Sequence, residues 1–224
     1  EVLTETPVEE IVVDDEGRAT GVRAGGEFWP ADVVVNNADF AHSTMALLPE
    51  HVRRRWTDRR ILTRRYSCSC FMMYLGVEGR YDIPHHNIYF SADYRNNLED
   101  IERRFVLSDD PSMYIQNACV SDDTLAPEGR STIYALIPVP HMHPNIDWAR
   151  DTERYRETAF RQMAHLGLGD IRDRIVTERT YTPADWRGEQ GIHLGATFNL
   201  AHNLGQMLYF RPHNRFEDVD GLYL

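Results

Sequence analysis

The sequence predicts a mixed α/β fold, in which short strands and helices follow one another along the chain. Hydrophobic residues make up 42% and aromatic residues 11% of the 224 residues, which is enough to build the packed core of one large domain or two small ones. Apolar runs near the start are separated by turn residues, as in β-hairpins. Two later stretches, residues 41–65 and 148–166, repeat their apolar residues at helical spacing.

The first forty residues are predicted to form a small β-meander that leads into a buried strand. Residues 8–13 and 20–23 are predicted strands, and the turn between them reads DDEG, with glycine where a positive φ is expected. A second turn leads into a third short strand through Phe28. Residues 31–36 are β-branched and apolar at their centre, which is typical of a strand covered on both faces.

The next stretch is predicted to contain two helices and a central strand. Residues 41–65 have a helical pattern, and Pro49 is expected to divide them, with the proline in the first turn of the second helix. Residues 67–77 are predicted to be a central strand, because both of its faces are apolar. Alternation places Phe71, Met73 and Leu75 on one face and Cys70, Met72 and Tyr74 on the other.

The second half of the chain is predicted to add further strands and helices. These elements are a short helix at residues 98–105, strands at residues 113–120 and 132–139, and a helix at residues 148–166. Asp147 is the expected N-cap of that last helix, since its side chain can accept hydrogen bonds from the first free N–H groups. From residue 171 onward we expect short strands and loops.

Charge and composition exclude several classes of function. The chain has 35 acidic and 24 basic residues, a net charge of −11, which argues against nucleic acid as a partner. Every basic residue is arginine, so Schiff-base chemistry and a P-loop lysine are excluded within this stretch. We also expect no transmembrane segment and no signal peptide. An odd number of cysteines, three, favours a reducing compartment.

Motifs for metal binding and hydrolysis are missing from the sequence. The tight histidine pairs, His85 with His86 and His141 with His143, lack carboxylates at the spacing of a helical metal site, so no metal is predicted. Cys68 and Cys70 are interpreted as structural. There is no G-x-S-x-G elbow and no phosphate-binding loop. The residues alone therefore indicate a mixed α/β domain without a complete active site.

A set of segments in a fixed order resembles a known family. TPVEEI at residues 6–11, GRATGV at 17–22 and ADVVVNNAD at 31–39 are similar to the middle of FAD-dependent amine-oxidase-like flavoproteins. The more specific segments are SCSCFMMYLG at 67–76, HHNIYF at 85–90, LAPEG at 125–129, PVPH at 138–141, NIDWA at 145–149, TPADWR at 182–187 and FRPHNR at 210–215. Together they resemble bacterial-type phytoene desaturase, a carotenoid-desaturating flavoenzyme, over the whole chain.

The resemblance implies a domain organisation. Residues 1–40 and 206–224 are expected to be parts of a Rossmann-like FAD-binding domain, and residues 41–205 a substrate-binding domain with a mixed sheet flanked by helices. The G-x-G-x-x-G turn that holds the FAD pyrophosphate in the family is not in this sequence. We therefore expect the chain to be a segment of the enzyme that binds FAD poorly by itself and is inactive in isolation.

The resemblance also implies which residues meet cofactor and substrate. The expected FAD contacts are the backbone of Val8 together with Asn37, Ala38, Arg211, Pro212 and His213. The expected lining of a tunnel for a C40 polyene is Phe71, Met73, Tyr114 and Tyr134. A purely structural role for His213, and an ordinary core for the apolar residues, are the competing interpretations. No catalytic base is predicted.

A membrane surface is the expected location of the family, because carotenes dissolve in lipid. The Arg-rich residues 52–62 could lie on an anionic surface, with Trp56, Ile61 and Leu62 dipping into it, or could be an ordinary solvated helix face. The resemblance thus implies a cytoplasmic protein peripheral to the inner membrane. A quinone or oxygen would accept the electrons of the reduced flavin.

Other functions remain open on the sequence. Within the enzyme class the alternatives are a C30 desaturase, a carotenoid oxygenase or a retinol saturase-like reductase. Outside it, the chain could be a non-catalytic module that binds an apolar ligand, or a remnant without function.

Overall fold

The chain folds as two units in the computed structural model, which describes residues 1–224. Unit 1 consists of residues 1–66, 191–193 and 199–224, and unit 2 consists of residues 67–190 and 194–198. Both units contain strands and helices, so the predicted mixed α/β class is confirmed.

Unit 1 begins with the predicted β-meander. Strands β1 (Val8–Val13), β2 (Ala19–Ala24) and β3 (Glu27–Pro30) form an antiparallel sheet in that order. Gly17, in the first turn, has a φ of 83°, the left-handed conformation that glycine adopts without a steric penalty. Ile11 of β1 is buried in the core of the unit.

The strand predicted at residues 31–36 is shorter and more exposed than expected. Strand β4 comprises only Val34–Val35 and pairs in parallel with β10 (Leu222–Tyr223), its one neighbour in a two-stranded sheet. Val34 is buried, but Val35 is 70% exposed, so the prediction of a strand covered on both faces is wrong. Ala31 is not part of β4. Its N–H donates instead to the carbonyl of Thr20 on β2.

Two helices follow, and the second begins later than predicted. Helix α1 (Phe40–Leu47) is capped by the Asp39 carboxylate, which accepts from the N–H of His42. Pro49 begins only a 3₁₀ turn, Glu50–Val52, and extended backbone at Arg53 stops that turn before helix α2 (Asp58–Leu62). The domain boundary predicted at residue 40 falls inside unit 1. A hydrogen bond crosses it, from Asn36 Nδ2 to Ser43 Oγ of α1 at 2.8 Å.

Unit 2 is built on a five-stranded antiparallel sheet. Its strands are β5 (Ser69–Glu78), β6 (His86–Tyr89), β7 (Met113–Asn117), β8 (Arg130–Val139) and β9 (Ile175–Tyr181), in the spatial order β6-β7-β8-β5-β9. Strand β5 pairs with β8 on one side and with β9 on the other, as its apolar faces predict.

One face of this sheet is the core of unit 2, covered by helix α4 (Trp148–His165). Asp147 caps α4 by accepting from the N–H of Ala149, as predicted. The ring of Phe71 on β5 lies 5.3 Å from Tyr155 and 6.0 Å from Trp148 of α4, measured between centroids. Met73 is fully buried in the same cluster. The alternating burial along β8 shows the same division, with every second residue facing α4.

The remaining predicted elements of unit 2 are confirmed with altered boundaries. The helix predicted at residues 98–105 is α3 (Tyr94–Glu99) followed by a π-helical turn, Asp100–Arg104. Strand β7 ends at Asn117 rather than at residue 120, because the Asn117 side chain turns to the backbone carbonyls of Tyr81 and Ile83 and a 3₁₀ turn follows. A short helix, α5 (Pro183–Gly188), follows β9 and begins with a Thr182–Asp185 capping box.

Candidate functional site

The second face of the unit 2 sheet, which we call the open face, carries aromatic side chains and is not covered by α4, although α5 contacts it at the β9 edge through Trp186. Pairing across the strands brings one residue from each strand into a row: Ile88, Tyr114, Leu136, Met72 and Tyr181. The next row is His86, Gln116, Tyr134, Tyr74 and Arg179. The first row is thus made of apolar and aromatic side chains from edge to edge of the sheet.

The aromatic rings of the open face contact one another in a continuous series. Tyr114 lies 5.7 Å from Tyr134, which stacks on Tyr74 at 5.8 Å between centroids. Tyr74 meets Tyr181 edge-on at 6.2 Å, and Tyr181 stacks on Trp186 of α5 at 4.7 Å. Offset and edge-to-face contacts at these distances are the favourable arrangements of aromatic pairs. The series therefore forms one rigid apolar surface.

Polar groups hold the two ends of this series in place. At the β6 edge, His86 Nδ1 and the Tyr114 hydroxyl are hydrogen-bonded at 2.7 Å. At the β9 edge, the indole N–H of Trp186 donates to the Cys70 carbonyl at 2.9 Å. The guanidinium of Arg179 lies over the Tyr181 ring at 4.8 Å and is paired with a glutamate of the loop after α5. The rings are therefore fixed before any ligand arrives.

Two phenols at the centre of the open face, those of Tyr74 and Tyr134, are kept neutral. Burial raises the pKa of Tyr74 and of Tyr134 above the usual tyrosine range, and in each case desolvation is the largest cause. Desolvation also raises the pKa of the Cys70 thiol, whose Sγ lies 3.1 Å from Thr197 Oγ1. At neutral pH the centre of the open face is therefore uncharged, which suits an apolar ligand.

The four residues expected to line a substrate tunnel do not share one surface. Tyr114 and Tyr134 lie on the open face, as expected for a ligand surface. Phe71 and Met73 lie on the opposite face, fully buried beneath α4, because odd-numbered residues of β5 point to the core. Sequence reasoning missed Tyr181 and Trp186, because their positions beside β5 depend on long-range strand pairing. It could have found Tyr74, since alternation along β5 already places Tyr74 on the face opposite to Phe71.

Three of the six expected cofactor residues come together in unit 1. Val8, Asn37 and Ala38 line an open cleft of about 430 Å³. The rest of the lining is mainly apolar, with Ile11, Val22, Val34, Val35, Asn36, His42, Ser43 and Leu47. Asn36 shapes the rim of the cleft, because its Oδ1 accepts from the N–H of Ala38 at 3.1 Å. The cleft offers an apolar slot next to backbone and amide groups.

The other three expected cofactor residues lie outside this cleft. Arg211 Nη1 donates to the Leu200 carbonyl, and His213 Nε2 lies 3.2 Å from the Tyr209 carbonyl oxygen. His213 Nδ1 also lies 3.6 Å from the carboxylate of Glu217. Arg211, Pro212 and His213 therefore lie in unit 1 but do not line the cleft formed around Val8, Asn37 and Ala38.

The Arg-rich stretch does not expose the side chains expected to enter a membrane. Trp56 and Ile61 are each 0% exposed. Trp56 packs edge-on against Phe40 at 5.0 Å and donates its indole N–H to Glu217, so the expectation that it dips into lipid is wrong. The guanidinium of Arg64 lies over the same ring at 5.4 Å, and this cation–π contact stabilises the buried position of Trp56. Leu62 alone of the three is exposed.

No group of three or more His, Cys, Asp or Glu side chains is arranged to hold a metal ion. No helix has both the length and the apolar character needed to cross a bilayer.

No family model matches the chain, but several curated bacterial carotenoid desaturases are similar to it over its whole length. The chain is 42% identical over 227 residues to a 4,4'-diapophytoene desaturase (4,4'-diapolycopene-forming) of Methylomonas sp, which matches 100% of this chain and 44% of the relative. It is 40% identical to an all-trans-zeta-carotene desaturase of Myxococcus xanthus, over 97% of this chain and 42% of the relative. It is 36% identical to a neurosporene-forming phytoene desaturase of Rhodobacter capsulatus, over 100% of this chain and 44% of the relative.

The chain therefore spans less than half the length of these curated relatives. Among solved structures, an oxidoreductase from Methanosarcina mazei matches 97% of the chain and 42% of its own length, with a TM-score of 0.53 at 14% identity. At that identity the match supports the fold alone.

Proposed function

Because the chain is homologous over its whole length to bacterial carotenoid desaturases, we propose that it forms part of an FAD-dependent desaturase acting on a phytoene-like polyene in carotenoid biosynthesis. The reaction removes a hydride and a proton from neighbouring carbons and leaves a new double bond. In this proposal the chain supplies the substrate surface and part of the cofactor site. The chain alone is expected to be inactive.

The observation that carries the proposal is the open face of the unit 2 sheet. Its edge-to-edge row of Ile88, Tyr114, Leu136, Met72 and Tyr181 crosses five strands. Strands lie about 4.8 Å apart, so the row is about 19 Å long. Part of a long, flat hydrocarbon can lie along such a row, against apolar side chains from one sheet edge to the other, with Met72 already buried at the centre. Burial of apolar area is the main source of affinity for such a ligand.

The aromatic rings determine how the polyene would be oriented. Tyr134 and Tyr74 stack with an interplanar angle of 12°, and the series ends at Trp186. A conjugated chain can lie against the exposed edges and faces of these rings without a hydrogen-bonding partner, since it has no polar atoms to satisfy. The phenols of Tyr74 and Tyr134 are neutral, so the surface places no charge next to an apolar ligand.

The cleft of Val8, Asn37 and Ala38 fits one end of FAD. Its apolar walls can hold a flat heteroaromatic ring, and its lining contains no arginine to pair with phosphate. The fit supports the adenine-edge assignment that the resemblance implies, with Asn37 and Ala38 at the rim. When bound, FAD supplies the hydride acceptor of the reaction. The residues of this chain hold and orient the ligands and keep water away from them.

The electron acceptor and the location are proposed on the family resemblance alone. We expect a quinone or oxygen to reoxidise the flavin, and we expect the protein to be cytoplasmic and peripheral to the inner membrane. Trp56 and Ile61 do not contribute to this membrane contact, because both side chains are buried.

A second candidate is a related reaction on a different polyene. The Methylomonas relative is named for diapophytoene and the Rhodobacter relative for phytoene, and both match the whole chain. A C30 desaturase is therefore the alternative with the most direct support. A carotenoid oxygenase, a retinol saturase-like reductase and a non-catalytic module have no observation that favours them.

The experiment that tests the proposal uses the whole protein encoded by the reading frame. Purified with FAD, it is incubated anaerobically with a quinone and with phytoene or diapophytoene in detergent micelles, and the products are separated by chromatography. Products that absorb at longer wavelength than the substrate support the proposal, and the substrate that gives them identifies the carbon-chain length that the enzyme accepts. Failure to convert either substrate, with FAD bound, contradicts it.

A further inference from the structure

A short loop of unit 1, residues 204–210, presents four large apolar side chains to solvent. Leu204 is 90%, Leu208 86%, Tyr209 71% and Phe210 55% exposed. The Tyr209 and Phe210 rings meet edge-on at 6.0 Å, so they form one aromatic surface. Single exposed apolar side chains are ordinary on protein surfaces, but a group of this kind marks an interaction site.

Hydrogen bonds tie this loop to the end of the Arg-rich stretch. Gln206, the one buried residue of the loop, accepts from the N–H of Arg65 at 3.0 Å and donates to the Arg65 carbonyl at 2.8 Å. Arg55 Nη2 donates to the Tyr209 carbonyl at 3.2 Å. Leu208 has a φ of 51°, a left-handed conformation that costs free energy for leucine. These contacts hold the loop in a shape that keeps its apolar side chains outside.

The two segments that meet here are basic, in contrast to the chain as a whole. Residues 59–66 and 199–213 contain no aspartate and no glutamate, although the chain carries a net charge of −11. The arginines of these two segments are Arg59, Arg60, Arg64, Arg65 and Arg211. The positive charge is therefore concentrated next to the exposed apolar loop.

The guanidinium of Arg65 is available to bind an anion. Arg65 is exposed, and only its backbone groups take part in hydrogen bonds. By contrast, Arg55 is paired with Glu217 at 3.2 Å, and Arg60 donates to the Arg55 carbonyl. Leu62, three residues before Arg65, is a further exposed apolar residue. An unpaired cation thus lies beside the apolar loop.

This combination of groups fits the surface of an anionic bilayer. Leucine and aromatic side chains enter the boundary between headgroups and acyl chains, where tyrosine can keep its ring in the apolar layer and its hydroxyl in water. A guanidinium beside them can pair with a lipid phosphate. A purely apolar ligand would cover the loop but would leave Arg65 without a partner. In a symmetric dimer built on this loop, the arginines of both copies would face each other, and like charges repel.

We propose that the loop of residues 204–210 inserts its four exposed side chains into the headgroup boundary of an anionic bilayer, while the Arg65 guanidinium binds a lipid phosphate. This inference rests on the peripheral membrane location in the proposed function and is independent of the desaturation reaction. It places the membrane contact on this loop rather than on Trp56 and Ile61 of the Arg-rich stretch, which are buried.

The test is sedimentation of the whole protein encoded by the reading frame with lipid vesicles at low ionic strength. One set of vesicles contains phosphatidylcholine with phosphatidylglycerol, and the other contains phosphatidylcholine alone. The proteins are the wild type, Leu208→Asn, Tyr209→Ser and Arg65→Gln. Asparagine tolerates the left-handed backbone, so Leu208→Asn removes the apolar side chain and keeps the turn. Circular dichroism checks that each variant is folded.

Two further variants are the matched controls. Phe28→Ser removes an exposed aromatic side chain from β3 of the same unit. Arg103→Gln removes one positive charge from an exposed position in unit 2, so it changes the net charge as Arg65→Gln does. Both controls should sediment as the wild type does.

We expect the wild type to sediment with the anionic vesicles and much less with phosphatidylcholine alone. Leu208→Asn and Tyr209→Ser should each weaken binding to the anionic vesicles about tenfold, because each removes one apolar side chain that the bilayer would cover. Arg65→Gln should weaken it about fivefold, the effect of one basic residue near an anionic surface.

Several results would overturn the inference. If the loop variants sediment as the controls do, another surface contacts the bilayer, and the proposed peripheral location stands without this loop. If the wild type does not sediment, the location and the inference fail together. Equal sedimentation of the wild type and Arg65→Gln would remove the lipid phosphate from the inference. A dimer without lipid that Tyr209→Ser makes monomeric would assign the loop to a second copy of the chain.

Activity in detergent micelles separates this inference from the proposed reaction, because the micelle replaces the bilayer. Leu208→Asn, with FAD bound and the polyene in micelles, should convert the polyene as the wild type does. If Leu208→Asn still sediments with anionic vesicles but no longer converts the polyene, the loop contacts substrate and the inference is wrong. If the wild type sediments through this loop but converts no polyene, the desaturase proposal fails and the inference stands.

Discussion

The rings of Tyr74 and Tyr134 lie nearly parallel across the β5–β8 pair, 5.8 Å apart between centroids and 12° apart in plane. The two residues are directly opposite in the register of these strands, and their neighbours Tyr114 and Tyr181 extend the contact in both directions. Because the strands fix the spacing of the rings, we expect the open face to need little rearrangement when it binds a flat ligand. A preorganised surface loses little conformational freedom when it binds.

Removing the central ring should weaken polyene binding without unfolding the chain. We expect Tyr134→Ala to lower the affinity for lycopene about 3- to 10-fold, since aromatic contacts contribute about 0.5–1.5 kcal/mol beyond the area they bury. Titration of the chain with lycopene in detergent micelles measures this. Phe28→Ala, a change at an exposed aromatic residue of β3, is the control. Equal losses in both variants would mean that binding is non-specific.

Removing a core ring should have the opposite effect, on stability rather than on binding. Phe71 is fully buried between the sheet and α4, so Phe71→Ala should reduce the free energy of unfolding by about 3–5 kcal/mol. Urea denaturation followed by circular dichroism measures it, with Ile88→Ala on the open face as the control. If Phe71→Ala leaves the unfolding midpoint unchanged and lowers lycopene affinity, Phe71 lines a cavity after all.

Acid should remove the stabilising effect of one ion pair. The Arg156 guanidinium donates to both carboxylate oxygens of Glu178, at 2.6 and 2.7 Å, and holds the pKa of that carboxyl below its usual range. A lowered pKa in the folded state stabilises the fold above the unfolded pKa, and this contribution is lost as the pH falls through the folded pKa. Glu178→Gln should therefore cost about 1–3 kcal/mol at pH 7.

The pH series that checks this compares urea unfolding of the wild type and Glu178→Gln at pH 7, 5 and 3. The difference between the two proteins should shrink as the pH falls below the usual glutamate range. Glu153→Gln is the matched control, since Glu153 contacts the same guanidinium from an exposed position. A difference that stays constant from pH 7 to pH 3 would mean that the charge of Glu178 contributes nothing.

A methyl group added at Gly76 should collide with the neighbouring strand. A Cβ at this position would lie 2.6 Å from Cγ2 of Thr177 on β9. We expect Gly76→Ala to destabilise the chain by about 1–3 kcal/mol, the usual cost of overpacking. Thr177→Ser removes that methyl group, so the double variant should recover most of the lost stability. Failure of this rescue, measured by urea denaturation, would mean that the strain has another source.

Local patterns predicted much of unit 2, because local physical rules determine those features. Alternation along β5 assigned Phe71 and Met73 to one face and Tyr74 to the other, and the structure confirms this division. The Asp147 cap was readable for the same reason, since a capping side chain acts within three residues.

Contacts between distant parts of the chain could not be predicted from such patterns. Tyr181 joins the aromatic series only because β9 pairs beside β5, more than a hundred residues earlier. Trp56 lies among arginines in sequence, and that suggested an exposed helix face. Its burial depends on Phe40, on Arg64 and on a hydrogen bond to Glu217, 161 residues away. The expected tunnel residues lie on two different faces of the sheet. Alternation separates the two faces of each single strand, but only the non-local pairing of β5 with β8 and of β8 with β7 decides which of those faces form one surface.

The burial of Trp56 gives unit 1 an internal optical reporter. An indole that is shielded from water, bonded to a carboxylate and covered by guanidinium groups emits at a shorter wavelength than the half-exposed indole of Trp29. In a variant with Trp29, Trp148 and Trp186 replaced by phenylalanine, the tryptophan emission comes from Trp56 alone, and a red shift of that emission would report the loss of unit 1 structure. The two units could then be compared for cooperative or separate unfolding.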